Sequence, residues 1–299
     1  MKHYKEFLKC THPIVCVPMN QCSDINLAIA VHNAGAFPSM SMFNFHTDRK
    51  INMQLTEYEL NRFQNATGSN NALIGMGWDE LLNPEFINLL DKMGFKFLEV
   101  FHLPKDNPRW PEVRKTVSEL RSIGFKIIFK VQKHLSKVEQ DAVIIKGKDG
   151  AGRTPEDGLP VKEFFSVMKA ARPEVNIIPS GGISTSEQVN YYMAHGAMAV
   201  GIGTLFAASE ESPVSLETKL KIVKSTSNDL KSIGKLNHRG LLFTNIENDD
   251  NNNNQSLRHG IHSPDNGCIY AGAGIDSVNE ILPVKEIVQR LVSELNDNQ

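Results

Sequence analysis

Short runs of β-branched and apolar residues alternate along the chain with longer stretches whose apolar positions recur at helical spacing. This is the pattern of a parallel α/β fold. Strands are predicted at 14–17, 36–41, 72–75, 97–101, 126–131, 142–145, 176–179 and 199–202. Ser23 and Asp24 supply a cap for a helix over 25–33, which Gly35 ends. Pro84 and Pro111 open further helices, and Gly94 and Gly124 close them. Residues 43–69 read as a longer connection with some helix, and 136–140 as a short helix before the sixth strand. A helix follows over 161–171, and Ser184 with Glu187 reads as the capping box of one that ends near Gly196. Eight strands alternating with helices favour a closed (β/α)8 TIM barrel over an open doubly wound sheet, although periodicity is compatible with both.

After Thr204 the rhythm changes. Residues 213–227 read as one helix, and Pro283 starts a last helix that runs to Leu295. Residues 245–255 are almost all Asn, Asp, Glu and Gln. A run of that kind has no apolar surface to bury, so 232–267 is expected to be a polar, mobile, partly disordered insertion after strand eight. The whole of 1–299 is otherwise read as one barrel domain, with homodimerisation possible.

Composition narrows the function. A 40% hydrophobic content over 299 residues supports one large core. With 32 basic and 34 acidic residues the net charge is −2, so no strong field points to nucleic acid or a membrane surface. No apolar leader or membrane-length run is present, and a cytoplasmic, reducing setting is the expectation. Cys10, Cys16, Cys22 and Cys268 form no Cys-x-x-Cys pair, which argues for reduced thiols rather than a zinc site.

Two segments carry chemistry. In Ser180-Gly181-Gly182-Ile183-Ser184 a strand ends in two glycines and a helix begins at once. Glycine lets the backbone approach an anion closely, and a helix start offers unpaired N–H groups. One βα unit later comes Gly201-Ile202-Gly203-Thr204, again at a strand end. The loops after strands seven and eight form the common phosphate site of such barrels, so both segments are expected to converge on one phosphate. His102 directly follows strand four and is a proton-transfer candidate; Lys130 ends strand five and is a candidate cation or Schiff-base amine.

These segments, followed by His-Gly-Ala and Gly-Thr-Leu-Phe-Ala-Ala-Ser-Glu-Glu-Ser, resemble the nitronate monooxygenase (2-nitropropane dioxygenase-like) family. The resemblance extends to Val17-Pro18-Met19, Asn33-Ala34-Gly35-Ala36, the 143–153 loop, and Tyr270-Ala271-Gly272-Ala273-Gly274 with Glu280-Ile281-Leu282-Pro283. It implies an FMN-dependent barrel that oxidises alkyl nitronates, small anionic substrates, with dioxygen. It also implies a set of cofactor contacts: Met19, Gly77, Lys146, Ala151, Gly152, Gly181, Gly182, Gly201, Ile202, Gly203 and Thr204, to which Lys130, at a strand end, is added as a further candidate. Gly77 stands where the family usually has Asn, and Lys146 where it commonly has Gln. Arg153 replaces a loop histidine that the family uses near the flavin. Arginine cannot serve as a general base, but it can hold an anion, and a nitronate is already an anion. Arg153, Lys146 and His102 are therefore the catalytic candidates, alongside a second reading as a flavin-binding barrel without nitronate activity. The glycine pair also resembles the phosphate loop of the inosine monophosphate dehydrogenase group, but no cysteine lies between Cys22 and Cys268 to act as that group's nucleophile.

Overall fold

The computed structural model describes residues 3–48, 50–101, 106–133, 140–155, 157–233, 237–242 and 268–295. Eight parallel strands form one sheet: β1 (Ile14–Cys16), β2 (Ser39–Ser41), β3 (Leu73–Met76), β4 (Phe97–Phe101), β5 (Lys126–Val131), β6 (Ala142–Lys146), β7 (Ile177–Ser180) and β8 (Val200–Ile202). Each pairs with its neighbour in chain order from β2 to β8, and β8 pairs back onto β1, with Ile14 opposite Val200 and Cys16 opposite Ile202. The remaining seam closes at Phe37. Its N–H donates to Ile14 O at 2.8 Å and its carbonyl accepts from Cys16 N at 3.0 Å. The sheet is thus the closed (β/α)8 barrel that the alternation favoured.

That seam explains why the second strand is shorter than the expected 36–41. Pro38 has no N–H to give to a ladder. The chain therefore pairs with β1 through Phe37 and with β3 from Ser39 onward, where Ser39 faces Leu73.

The helices form around this wall: α1 (Ile25–Asn33), α2 (Met53–Thr67), α3 (Pro84–Met93), α4 (Trp110–Ser122), α5 (Val161–Ala171), α6 (Ser186–Ala194) and α7 (Val284–Val292). Asp24 caps α1 by accepting from Leu27 N at 2.9 Å. The last helix, α7, packs against α1 and α6 and so completes the helical ring beside β8. The expected helix over 136–140 lies outside the described residues except for Gln140.

Three sequence expectations change. The capping box of α6 is Thr185 with Gln188, not Ser184 with Glu187: Gln188 Oε1 accepts from Thr185 N at 3.2 Å and from Ser184 N at 2.7 Å. Ser184 is drawn off by a 2.8 Å hydroxyl contact with Ser277. The helix expected over 213–227 is confined to Leu216–Val223, capped by Ser215, because Thr226 and Asp229 fold the next residues into their own capped 3-10 turn. Inside the expected insertion, His238–Leu242 is a strand. It pairs with Lys231–Ile233, with Cys268–Ile269 and with Gly152–Arg153, making a small antiparallel sheet at the β6 end of the barrel. Residues 243–267 lie outside the described set.

Phe37 sits at the closing seam, is fully buried, and packs edge-on against Phe97 at 5.1 Å. Phe37→Ala is expected to cost about 3–5 kcal/mol in urea unfolding. A loss below about 1 kcal/mol would show that the seam does not depend on this side chain.

Candidate functional site

The C-terminal ends of the eight strands gather the predicted residues at one mouth. Ser180 of β7 pairs directly with Gly201 of β8, so the turns that follow are neighbours. Gly181 and Gly182 have φ of +107° and +73°, a left-handed turn that a side chain would strain. There is also no room for one. A Cβ on Gly182 would lie 3.0 Å from Asp149 Cβ, and one on Gly181 would lie 2.9 Å from Gly150 N. Gly201 and Ile202 belong to the barrel wall, where their backbone pairs with β1. A Cβ on Gly201 would strike Val17 and Ser180. The donors begin one residue later. The N–H groups of Gly182, Ile183, Gly203 and Thr204 reach no acceptor among the described residues.

Other contacts frame these amides. Thr204 is almost buried, and its Oγ1 accepts from Gly272 N at 3.1 Å, which leaves its hydroxyl proton to donate. Gly203 faces Met19, whose Sδ would lie 3.5 Å from an added Cβ. Ala273 N donates to Asp149 O at 2.8 Å, tying the 270–274 segment to the β6 loop. In that loop a Cβ on Gly272 would lie 3.1 Å from Ala151 N. Gly152, at φ +65°, packs against Tyr270. A cradle of small residues and unpaired amides fits a phosphate dianion.

Charge concentrates across the mouth. Glu99 and Lys130, on neighbouring β4 and β5, are both buried and lie 2.8 Å apart. Lys130 Nζ also sits 5.1 Å from the centre of the Phe101 ring. Lys146 ends β6, and its Nζ donates to Arg153 O at 2.9 Å. Gln132 Nε2 donates to the same carbonyl at 2.6 Å. Desolvation above all, then the charges of Lys130 and Arg153, brings the Lys146 pKa down to about 7, with Glu99 opposing. The Arg153 side chain is exposed.

The β2 and β3 ends are more apolar. Phe43 and Phe101 are exposed here, and Trp78 Nε1 donates to Phe101 O at 2.8 Å. Gly77 does not offer a free amide: its N–H donates to Glu80 Oε2 at 2.8 Å. Glu80 Oε1 in turn lies 2.9 Å from His46 Nε2. His102 lies outside the described residues.

Sequence reasoning missed Glu99, although a charge inside the apolar run Phe97–Phe101 was its signal. It also missed the His46–Glu80 pair, which joins residues 34 positions apart without a local motif. The four cysteines are free, and burial pushes each thiol up to about 12, so none is a ready nucleophile. Among the described residues no cluster of His, Cys, Asp and Glu could hold a metal ion, and no helix is long and apolar enough to cross a membrane. A cleft of about 690 Å³ lies outside the barrel between α1 and residues 210–213. Asp24, Glu210 and Glu211 line it, a poor setting for a phosphate.

A family model described as nitronate monooxygenase matches residues 105–294, which include β5 to β8 and every unpaired amide named above. The chain belongs to the nitronate monooxygenase family. It is thereby an oxidoreductase of a flavin-dependent family. Solved structures similar to it include FabK from Thermotoga maritima, with 23% identity, TM-score 0.77, and 98% of this chain and 96% of that chain covered. Nitroalkane oxidase from Streptomyces ansochromogenes has 18% identity and TM-score 0.73, with 98% of each chain covered. The enoyl reductase domain of MlnA from Bacillus amyloliquefaciens has 12% identity and TM-score 0.74, over 98% of this chain and 96% of that one. At these identities the likeness establishes the shared fold.

The charge cluster has a consequence for stability. The Lys146 pKa is about 7 in the folded chain against an ordinary 10.5, so between those values the unfolded chain binds the extra proton. Stability therefore rises with pH through that window, and the penalty is full below pH 7. In urea titrations the wild-type midpoint should gain on that of Lys146→Met as pH rises from about 7 to 10. Parallel curves would contradict a desolvated Lys146.

Proposed function

We propose that this chain is an FMN-dependent oxidoreductase that oxidises small anionic substrates of the alkyl nitronate kind with dioxygen. The observation behind this reading is the pairing of unpaired amides at Gly182, Ile183, Gly203 and Thr204, on adjacent turns, with a cationic wall at the same mouth. Those amides and the Thr204 hydroxyl would hold the FMN phosphate, and Met19, beside Gly203, would flank the cofactor. When bound, FMN supplies the electron transfer from substrate to dioxygen.

The chain's own groups would do the rest. The Arg153 guanidinium, and Lys146 in the fraction that is protonated near pH 7, would set a positive potential that favours anionic species at the mouth. The exposed Arg153 guanidinium can take an anionic substrate by two parallel N–H bonds. Phe43 and Phe101 offer apolar surface to an alkyl group. With arginine where the family has its loop histidine, neutral nitroalkanes should be poor substrates, because no base at that position can remove their proton.

Arg153 also favours a second reading, a flavin-binding barrel with another small redox substrate or none. The purified chain should be yellow and release FMN on denaturation, and it should consume oxygen with propionate 3-nitronate or propyl-2-nitronate. Gly182→Ala should weaken FMN binding about ten-fold through the strain of its left-handed φ, while riboflavin, which has no phosphate, should be affected little. Failure to bind FMN would remove the proposal. Bound FMN with no turnover on any nitronate would leave the second reading.

A further inference from the structure

Lys146 has a feature that holding a cofactor does not require. Lys130 from β5 and Arg153 from the strand after β6 lie close enough to act on its charge, and Glu99 from β4 is already paired with Lys130 at 2.8 Å. The other polar groups packed here are Gln132, which shares the Arg153 carbonyl, and Tyr270, which lies against Gly152 and stacks on His238 at 5.5 Å. Among the described residues no carboxylate pairs with Lys146. Its partner is a carbonyl, Arg153 O at 2.9 Å, which accepts equally from an ammonium or a neutral amine. A neutral amine that donates one N–H there keeps its lone pair for another atom. Crowding by like charge and removal from water are the two conditions that turn a lysine into a nucleophile near neutral pH.

We propose that Lys146 is a carbonyl-reactive amine that takes a small aldehyde or ketone bearing a carboxylate, a 2-oxo acid being the simplest, as an imine. The nitrogen attacks the carbonyl carbon, the C–O bond breaks, and the oxygen leaves as water with two protons. No oxidant or reductant is needed. Arg153, exposed beside it, binds the carboxylate and brings the carbonyl within reach. Removal from water first, then the charges of Lys130 and Arg153, favour the neutral form of Lys146. This chemistry does not depend on flavin binding, so its failure and that of the flavin reading are separate results.

The test is reductive trapping. The purified protein is incubated with pyruvate and, separately, with uncharged acetaldehyde, each with cyanoborohydride, and adducts are mapped by peptide mass spectrometry across pH 6–9. At pH 7 an ordinary lysine is neutral about once in 2,500 molecules and Lys146 about half the time, an advantage of about 1,000-fold in free amine. Even after reduced access, pyruvate should label Lys146 at least about ten-fold faster than the exposed Lys115, with half-maximal rate near pH 7. Arg153→Gln should slow trapping of pyruvate several-fold and leave that of acetaldehyde unchanged. Lys146→Met, its fold checked by circular dichroism, should lose this adduct and keep the slow surface background. Labelling of Lys146 no faster than Lys115, or a rate still climbing toward pH 10, would overturn the proposal. Equal trapping of pyruvate by Arg153→Gln would overturn the role of the carboxylate.

Discussion

Everything at this mouth depends on Ser180 and Gly201 standing side by side in the barrel wall. Parallel strands all end at the same face, so adjacent strands deliver adjacent turns. After Ser180 the chain turns through two left-handed glycines, and after Ile202 it turns through Gly203. Both turns leave amides without an acceptor, and an unpaired amide shielded from water is costly unless something negative comes to it. Closure matters as well. The pairing of β1 with β8, continued by Val17 N to Ile202 O at 3.1 Å, brings Met19 beside Gly203.

The other half of the mouth is electrostatic. A buried ion pair such as Glu99–Lys130 seldom contributes net stability, since its desolvation cost is large. Its value here is in what it does to its neighbour. Among the described residues Glu99 is taken by Lys130, and the partner of Lys146 is the Arg153 carbonyl. Lys146 therefore titrates in a range where ordinary lysines do not. Arg153 replaces a group that could move a proton with one that can only hold charge. Under the proposed function, this mouth would suit substrates that arrive as anions.

Much of the fold was legible in the sequence because the eight strands are buried on both faces and read as apolar runs between glycine and proline stops. The two glycine turns after β7 and β8 were legible as well, because glycines stand directly after the strand runs. What stayed hidden has physical causes. The α6 cap moved by one residue because Ser184 is engaged by Ser277, 93 positions away. The strand at His238–Leu242 has partners at Gly152–Arg153 and Cys268–Ile269 that no local pattern reveals. Gly201 and Ile202 looked like phosphate donors, but their backbone serves the wall, and the unpaired N–H groups begin at Gly203. Gly77 stood in a cofactor position by motif, whereas its amide is taken by Glu80.

Amide chemical shifts of the 15N-labelled protein, recorded with FMN and with riboflavin, address the grip on phosphate directly. FMN should move the resonances of Gly182, Ile183, Gly203 and Thr204 strongly, and riboflavin at equal occupancy should leave those four nearly in place. Equal shifts from both compounds, or FMN shifts confined to the acidic cleft beside α1, would contradict a phosphate held between the two turns.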